Sequence, residues 1–157
     1  MKNLVALVAA VAVLLPTASS ADDELEFKGG IGVVPVSSVN ASGIGAPNVV
    51  LGVQPGGQPW VIARLEAEVK GGRITVEGRG LLLAGGNGIG TPGGQSVEAR
   101  LFCGGVAHDT GLVALAPDGD FRIDDALTPA PPATCDAPVL LIVNAAGRWF
   151  AAGIVRR

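Results

Sequence analysis

Residues 61–79 read VIARLEAEVKGGRITVEGR, and this stretch decides the fold class. Apolar and charged side chains alternate on both sides of Gly71-Gly72, which is the period of a β-strand with one buried face. Glycine supplies the positive φ angles that a two-residue turn requires, so the pattern predicts a β-hairpin. The inward side of its first strand is predicted to carry Val61, Ala63, Leu65, Ala67 and Val69.

The register of this hairpin stays open because turn chemistry and charge pairing disagree. A turn centred on Gly71-Gly72 places Glu66 opposite Glu77, and like charges that face each other across two strands are unfavourable. A turn at Lys70-Gly71 would bring opposite charges together, but it would put a lysine where the turn prefers glycine. The residues predict the hairpin and leave both registers open.

Two further hairpins are predicted downstream. Ala116-Pro117-Asp118-Gly119 has proline and glycine at the positions where a tight turn prefers them, and folding there places Leu115 opposite Phe121. The third hairpin joins Val139–Val143 to Trp149–Val155. Its first strand is apolar at every position, so we expect that strand to be central and covered on both faces.

Short strands with glycine-rich turns continue along the rest of the chain, and helical periodicity is nearly absent after residue 21. The proline-rich segment 126–138 is expected to be a crossing loop. About nine short strands predict an all-β fold, an antiparallel β-sandwich of Greek-key or immunoglobulin-like type, with a closed β-barrel as the alternative. The remaining predicted strands are Ile31–Val36, Val49–Val53 and Val97–Cys103.

The first twenty-one residues have the organisation of a cleavable signal peptide. Lys2 precedes an apolar run over 4–15, which is too short to span a bilayer. Ser19 and Ala21 occupy the small-residue positions that a signal peptidase recognises. A buried apolar helix is the alternative. We therefore expect a secreted or periplasmic protein with a signal-peptide helix at 1–21, an acidic flexible leader at 22–30 and a single β-sandwich domain at 31–157.

The charge of the exported part limits its partners. Without residues 1–21 the chain loses Lys2 from its eleven basic residues and keeps all fourteen acidic ones, which leaves a net charge of −4. This negative charge argues against nucleic-acid binding, which needs a basic protein surface. It also argues against a basic patch that binds a membrane surface. We expect a protein or glycan partner, no nucleic acid, and no stable membrane insertion after signal cleavage.

Cys103 and Cys135 are the two cysteines of the chain. An even number of cysteines in an exported protein favours a disulfide, because the compartment is oxidising. In the chain-entropy account, closing a loop of about thirty residues is worth roughly 3–4 kcal/mol. We predict that the two residues form a disulfide that pins the 126–138 loop.

His108 is the single histidine, and Asp109 follows it. A histidine beside an acid is a candidate for acid–base chemistry. Neighbouring residues on an extended chain point to opposite faces, however, so Asp109 is poorly placed to orient His108. No serine lies in a nucleophile elbow, and both cysteines are predicted to be oxidised. The favoured interpretation is a histidine at the surface or in a turn.

The densest acidic cluster of the folded region is a second candidate site. Carboxylates near a hairpin tip are oxygen ligands of the kind that calcium prefers. The spaced aspartates and closing glutamate of a calcium loop are missing, so an ordinary acidic turn is favoured, and no metal site is predicted. Gly88–Gly93 fits a dinucleotide-binding glycine pattern but precedes a strand instead of a helix, so no cofactor is predicted. The cluster consists of Asp118, Asp120, Asp124 and Asp125.

Phe102 is the best candidate for an interaction surface, because it falls on the same side of its predicted strand as Glu98 and Arg100. An exposed aromatic among polar neighbours is typical of a binding patch, although a second sheet or a loop would also account for it. The sequence predicts a non-enzymatic, secreted β-sandwich that acts by surface interaction with a protein, glycan or envelope component. One alternative is a small hydrolase or isomerase that uses His108 and nearby aspartates. The other is a β-barrel carrier of an apolar ligand, which requires a dry central cavity.

Overall fold

The computed structural model describes residues 24–35, 37–39 and 45–156, so the predicted signal peptide lies outside the described residues. The described part is all-β, contains no helix and pairs its strands in antiparallel ladders, which confirms the predicted fold class. The strands are β1 (Leu25–Gly32), β2 (Ser37–Val39), β3 (Gly45–Pro47), β4 (Trp60–Val61), β5 (Arg64–Lys70), β6 (Arg73–Arg79), β7 (Leu82–Leu83), β8 (Ser96–Cys103), β9 (Val106–Asp109), β10 (Val113–Ala114), β11 (Phe121–Ala126), β12 (Val139–Asn144) and β13 (Trp149–Val155).

Nine strands form one strongly curled sheet, a half-barrel, in the order β10-β8-β12-β13-β1-β5-β6-β11, with β9 also paired to β8. Two small sheets, β2-β3 and β4-β7, complete the described part. The curl brings the two ends of the large sheet close together, and the turn at 116–119 connects β10 at one end to β11 at the other. Asp109 and Thr128 exchange backbone hydrogen bonds of 2.9 and 2.8 Å across the same gap. The layout therefore lies between the sandwich and the closed barrel.

β1 lies in the middle of the curled sheet, between β13 and β5. The predicted flexible leader at 22–30 is therefore wrong for residues 25–30, and the β-domain includes residues from Leu25 onward. Charged residues alternate with apolar ones here, and the inward Phe27 is only 2 % exposed. Glu26, one of the acidic residues that suggested a solvated leader, occupies the outer face of this strand.

The first hairpin turns at Gly71-Gly72, with φ angles of 55° and 76°, so Glu66 does face Glu77. Each of these glutamates has an arginine nearby. Arg64 donates to Glu66 at 2.8 Å, and Arg122 on β11 pairs with Glu77. A lysine in the left-handed backbone conformation would cost about 1–2 kcal/mol. The repulsion between the like charges, in contrast, is offset by the nearby arginines. Turn geometry therefore decides the register.

Some of the other predicted strands are confirmed and others are wrong. The strand predicted at Val97–Cys103 is confirmed as β8, and the hairpin predicted at the C-terminus is confirmed as the antiparallel pair β12–β13. The strand predicted at Ile31–Val36 overlaps only the end of β1. Val49–Val53 is wrong as a strand, because Val50 and Val53 exchange backbone hydrogen bonds across a tight turn in which Leu51 has φ of 46°.

The concave side of the half-barrel is packed with apolar side chains. Those at its middle are fully buried, which is unlike the dry central cavity that the carrier alternative requires. The predicted disulfide joins Cys103, at the end of β8, to Cys135 with a Cα–Cα distance of 4.8 Å. It fixes the 126–138 segment beside one end of the curled sheet. The fully buried side chains of the concave side include Leu65, Ile74, Val76, Leu101, Leu140 and Ile142.

Gly119→Ala should destabilise the protein more than Gly147→Ala. Both glycines have positive φ, 80° and 69°, so an alanine backbone would be strained at each position. At Gly119 the added Cβ would also lie 2.5–2.8 Å from backbone atoms of Leu81, whereas at Gly147 it would meet nothing within 4 Å. We expect an additional loss of about 1–3 kcal/mol at Gly119 in urea-unfolding experiments. Equal losses would contradict the close approach of this turn to Leu81.

Candidate functional site

The predicted interaction surface around Phe102 is not an exposed patch. Phe102 is 5 % exposed, so its assignment as a surface anchor is wrong. β8 lies inside the sheet between β12 and the β9 and β10 strands, and Phe102 pairs with Val139 and Ala107. Leu141, on the same outer face of β12, is also fully buried. Alternation along β8 therefore distinguishes two faces, but both are covered at this end of the strand.

Arg100, Glu98 and Asp109 form a half-buried ion cluster that links β8 to β9. Arg100 donates from Nε and Nη2 to both carboxylate oxygens of Asp109, at 2.7 and 2.9 Å, and Glu98 lies 3.7 Å away. The hydrogen bonding to Asp109 raises the pKa of Arg100. Burial, together with the charge of Asp109, raises the pKa of Glu98 despite the nearby guanidinium. These three polar residues therefore serve as a structural link between β8 and β9.

His108 lies on the concave side of the sheet and is 3 % exposed, so the prediction of a surface or turn histidine is wrong. Its Nδ1 lies 2.7 Å from the carbonyl oxygen of Pro129 and must donate, because that oxygen can only accept. Its Nε2 is buried without a hydrogen-bond partner among the described residues. Asp109 points to the opposite face and pairs with Arg100, as the alternation of a strand requires. The two neighbours do not form a catalytic dyad.

The predicted acidic cluster is divided among separate structural bonds. Asp118 accepts from the backbone N–H of Asp120, and Asp120 accepts from the N–H of Gly80 at 2.9 Å. Asp124 pairs with Arg73 on β6. In the described ranges, no three potential metal-ligating side chains converge. The cluster is a set of turn and strand contacts in the described structure.

Asp125 is held by the backbone and not by a ligand site. Its carboxylate accepts from the N–H of Gly111 at 2.9 Å and from the N–H of Ala126 at 2.8 Å. Both hydrogen bonds lower the pKa of Asp125, and the one from Gly111 has the larger effect. The carboxylate therefore ties β11 to the loop before β10, at the place where the two ends of the curled sheet approach each other.

A feature that the sequence did not reveal is a charged groove on the outer face of β1, β5 and β6. Its volume is about 410 Å³. Strand register assembles it, because residues far apart in sequence become neighbours only once β1 lies beside β5. We call this surface the charged groove; its polar lining residues are Glu26, Lys28, Glu66, Glu68, Thr75, Glu77 and Arg156.

The described part defines a small all-β domain built on one curled antiparallel sheet and closed at one end by a disulfide-anchored loop. Comparison with protein-family models, with curated proteins and with solved structures found no match for this chain. Within the described ranges, no helix has the length and apolar character needed to cross a membrane.

Glu98→Gln should stabilise the protein at pH 7 and lose that advantage in acid. Since the folded-state pKa of Glu98 is raised, its contribution to stability is largest below the unfolded-state pKa and is lost as pH rises through the folded value. At pH 7 the variant removes a carboxylate that burial disfavours, whereas at about pH 3 the native side chain is itself neutral.

Urea unfolding at both pH values measures this effect. Asp136→Asn serves as the control, because it also removes one carboxylate, at an exposed position. A gain at pH 7 that persists unchanged at pH 3, or a loss of stability at pH 7, would contradict the role of burial at Glu98.

Proposed function

We propose that this chain is an exported, non-enzymatic domain that binds a basic segment of a protein partner in the charged groove. The observation that carries the proposal is Glu68, an exposed glutamate of that groove that makes no ion pair within the described ranges and faces a second glutamate. Glu26 on β1 and Glu68 on β5 are directly opposite each other in the ladder. Side chains in such a pair lie about 5 Å apart, and like charges there repel. A cation from a partner would relieve the repulsion.

The other three glutamates of the groove each pair with an arginine, Glu77 with Arg122 on β11. Arg156 donates to Glu26 at 2.6 Å, and Arg64 donates to Glu66 at 2.8 Å. Glu68 is exposed, and within the described ranges it makes no ion pair. Glu68 is thus the one glutamate of the groove without an ion pair in the described part of the chain. Its unpaired negative charge favours a lysine- or arginine-bearing partner.

The arrangement of the other polar residues supports binding over catalysis. His108 is buried and donates to a backbone carbonyl, and Asp109 is occupied by Arg100. An enzyme that used them would have to break these bonds to bring the two groups together. The disulfide and the signal-like residues 1–21 both support an extracytoplasmic location, because disulfides persist in oxidising compartments.

Binding to a synthetic lysine-alanine repeat peptide tests the proposal, with a glutamate-alanine repeat and a chitosan oligomer as alternative ligands. The lysine peptide should bind, and binding should weaken as salt rises. Glu68→Gln should weaken it about three- to fivefold, the scale of one exposed ion pair. Asp136→Asn, which removes an exposed carboxylate outside the groove, should leave binding unchanged.

Two results would overturn this proposal. Equal losses in Glu68→Gln and Asp136→Asn would mean that binding reflects net charge and not the charged groove. Binding of the chitosan oligomer without binding of the lysine peptide would replace the protein partner with an amino-bearing glycan.

A further inference from the structure

A second cavity, of about 290 Å³, lies at one end of the curled sheet beneath the proline-rich segment 130–135. Its floor consists of inward-facing apolar side chains from three different strands, Leu25 on β1, Val69 on β5 and Leu101 on β8. Pro131 and Pro132 form part of its roof. The cavity is therefore an apolar space between the sheet and a loop, separate from the charged groove.

The roof of this cavity is fixed at both ends. At one end the Pro129 carbonyl accepts the hydrogen bond from His108, and at the other Cys135 is bonded to Cys103. Two prolines between these anchors restrict the backbone further. A cavity whose walls are held in place does not have to be ordered when a ligand enters, which favours binding. The buried His108 thus has a positioning role, because it holds the start of the roof.

Lys70 is the one charged residue among those that line this cavity. Its ammonium group lies 3.8 Å from Glu24, and both side chains are largely exposed, at 59 % and 42 %. Such an exposed pair contributes little, so an incoming carboxylate can compete with Glu24 for Lys70. Lys70 is the outward-facing neighbour of Val69 at the end of β5, so it offers one cation at the edge of the cavity, beside the apolar interior.

We propose that this cavity binds a small amphiphile with a short hydrocarbon body and one carboxylate, such as a medium-chain fatty acid. The hydrocarbon would lie between Leu25 and Val69 on one side and the prolines of the roof on the other, and the carboxylate would lie at Lys70. A volume near the lower limit of ordinary ligand sites selects a ligand smaller than a drug-sized molecule. The proposal does not depend on the charged groove.

Calorimetric titration of the oxidised full chain with butanoate, hexanoate and octanoate tests the apolar part. Affinity should rise about fourfold for each methylene that enters the cavity. Leu25→Ala should weaken octanoate binding, because it removes part of the floor. If Leu25→Ala does not fold, the chain-length series still decides this part. An affinity that does not change with chain length would overturn the proposal.

The head group is tested with Lys70→Gln and with octanol and octylamine as uncharged and cationic probes. Octanoate should bind more tightly than octylamine, and Lys70→Gln should weaken octanoate about fivefold, the scale of one exposed ion pair, with octanol unaffected. Arg79→Gln, which removes an exposed cation at the far end of β6, is the matched control and should leave octanoate unchanged. Equal losses in the two variants, or tighter binding of octylamine, would overturn the assignment of Lys70.

Discussion

The pairing of β1 with both β13 and β5 is the interaction on which the rest of the structure depends. Without β1, the curled sheet separates into β10-β8-β12-β13 and β5-β6-β11. The facing edges of β13 and β5 would then expose unpaired backbone groups, which are costly when buried and prone to aggregation when exposed. Phe27, 2 % exposed at the centre of β1, adds an apolar side chain to the core shared by the two halves.

Both proposed sites depend on the same strand. The outer face of β1 contributes Glu26 and Lys28 to the charged groove, and its first inward residue, Leu25, forms part of the floor of the cavity beneath the proline-rich roof. The pleat of one strand thus separates a polar surface from an apolar one. The ladder between β1 and β5 also places Glu26 opposite Glu68, which is the contact that the proposed function uses.

The parts of this fold that the sequence predicts are those in which the information is local. Gly71-Gly72 and the 116–119 turn carry their own conformational preference, and the apolar run at 139–143 indicates a strand covered on both faces. β1 could not be recognised in the same way, because its partners are remote in sequence and Glu26 follows other acidic residues that resemble a solvated tail. The alternation of charged and apolar residues in β1 was the signal in the sequence that could have predicted a strand there.

The burial of the predicted site residues depends on sheet order, which no local pattern gives. Phe102 and His108 lie on opposite faces of the sheet, as alternation predicts, but both faces are covered there. The expectation that His108 and Asp109 point apart is confirmed, since it follows from strand geometry alone. The charged groove could not be predicted because it needs the register between β1 and β5.

Native-state hydrogen exchange of the β1 amides tests the central claim most directly. If β1 holds the two halves of the sheet together, the amides of Leu25–Gly32 that bond to β13 and β5 should exchange only when the whole sheet unfolds. Their protection should then match that of β12, at Val139–Asn144. Rapid exchange of β1 beside a protected β12 would contradict the account, because it would make residues 25–32 a mobile leader on a sheet that is stable without them.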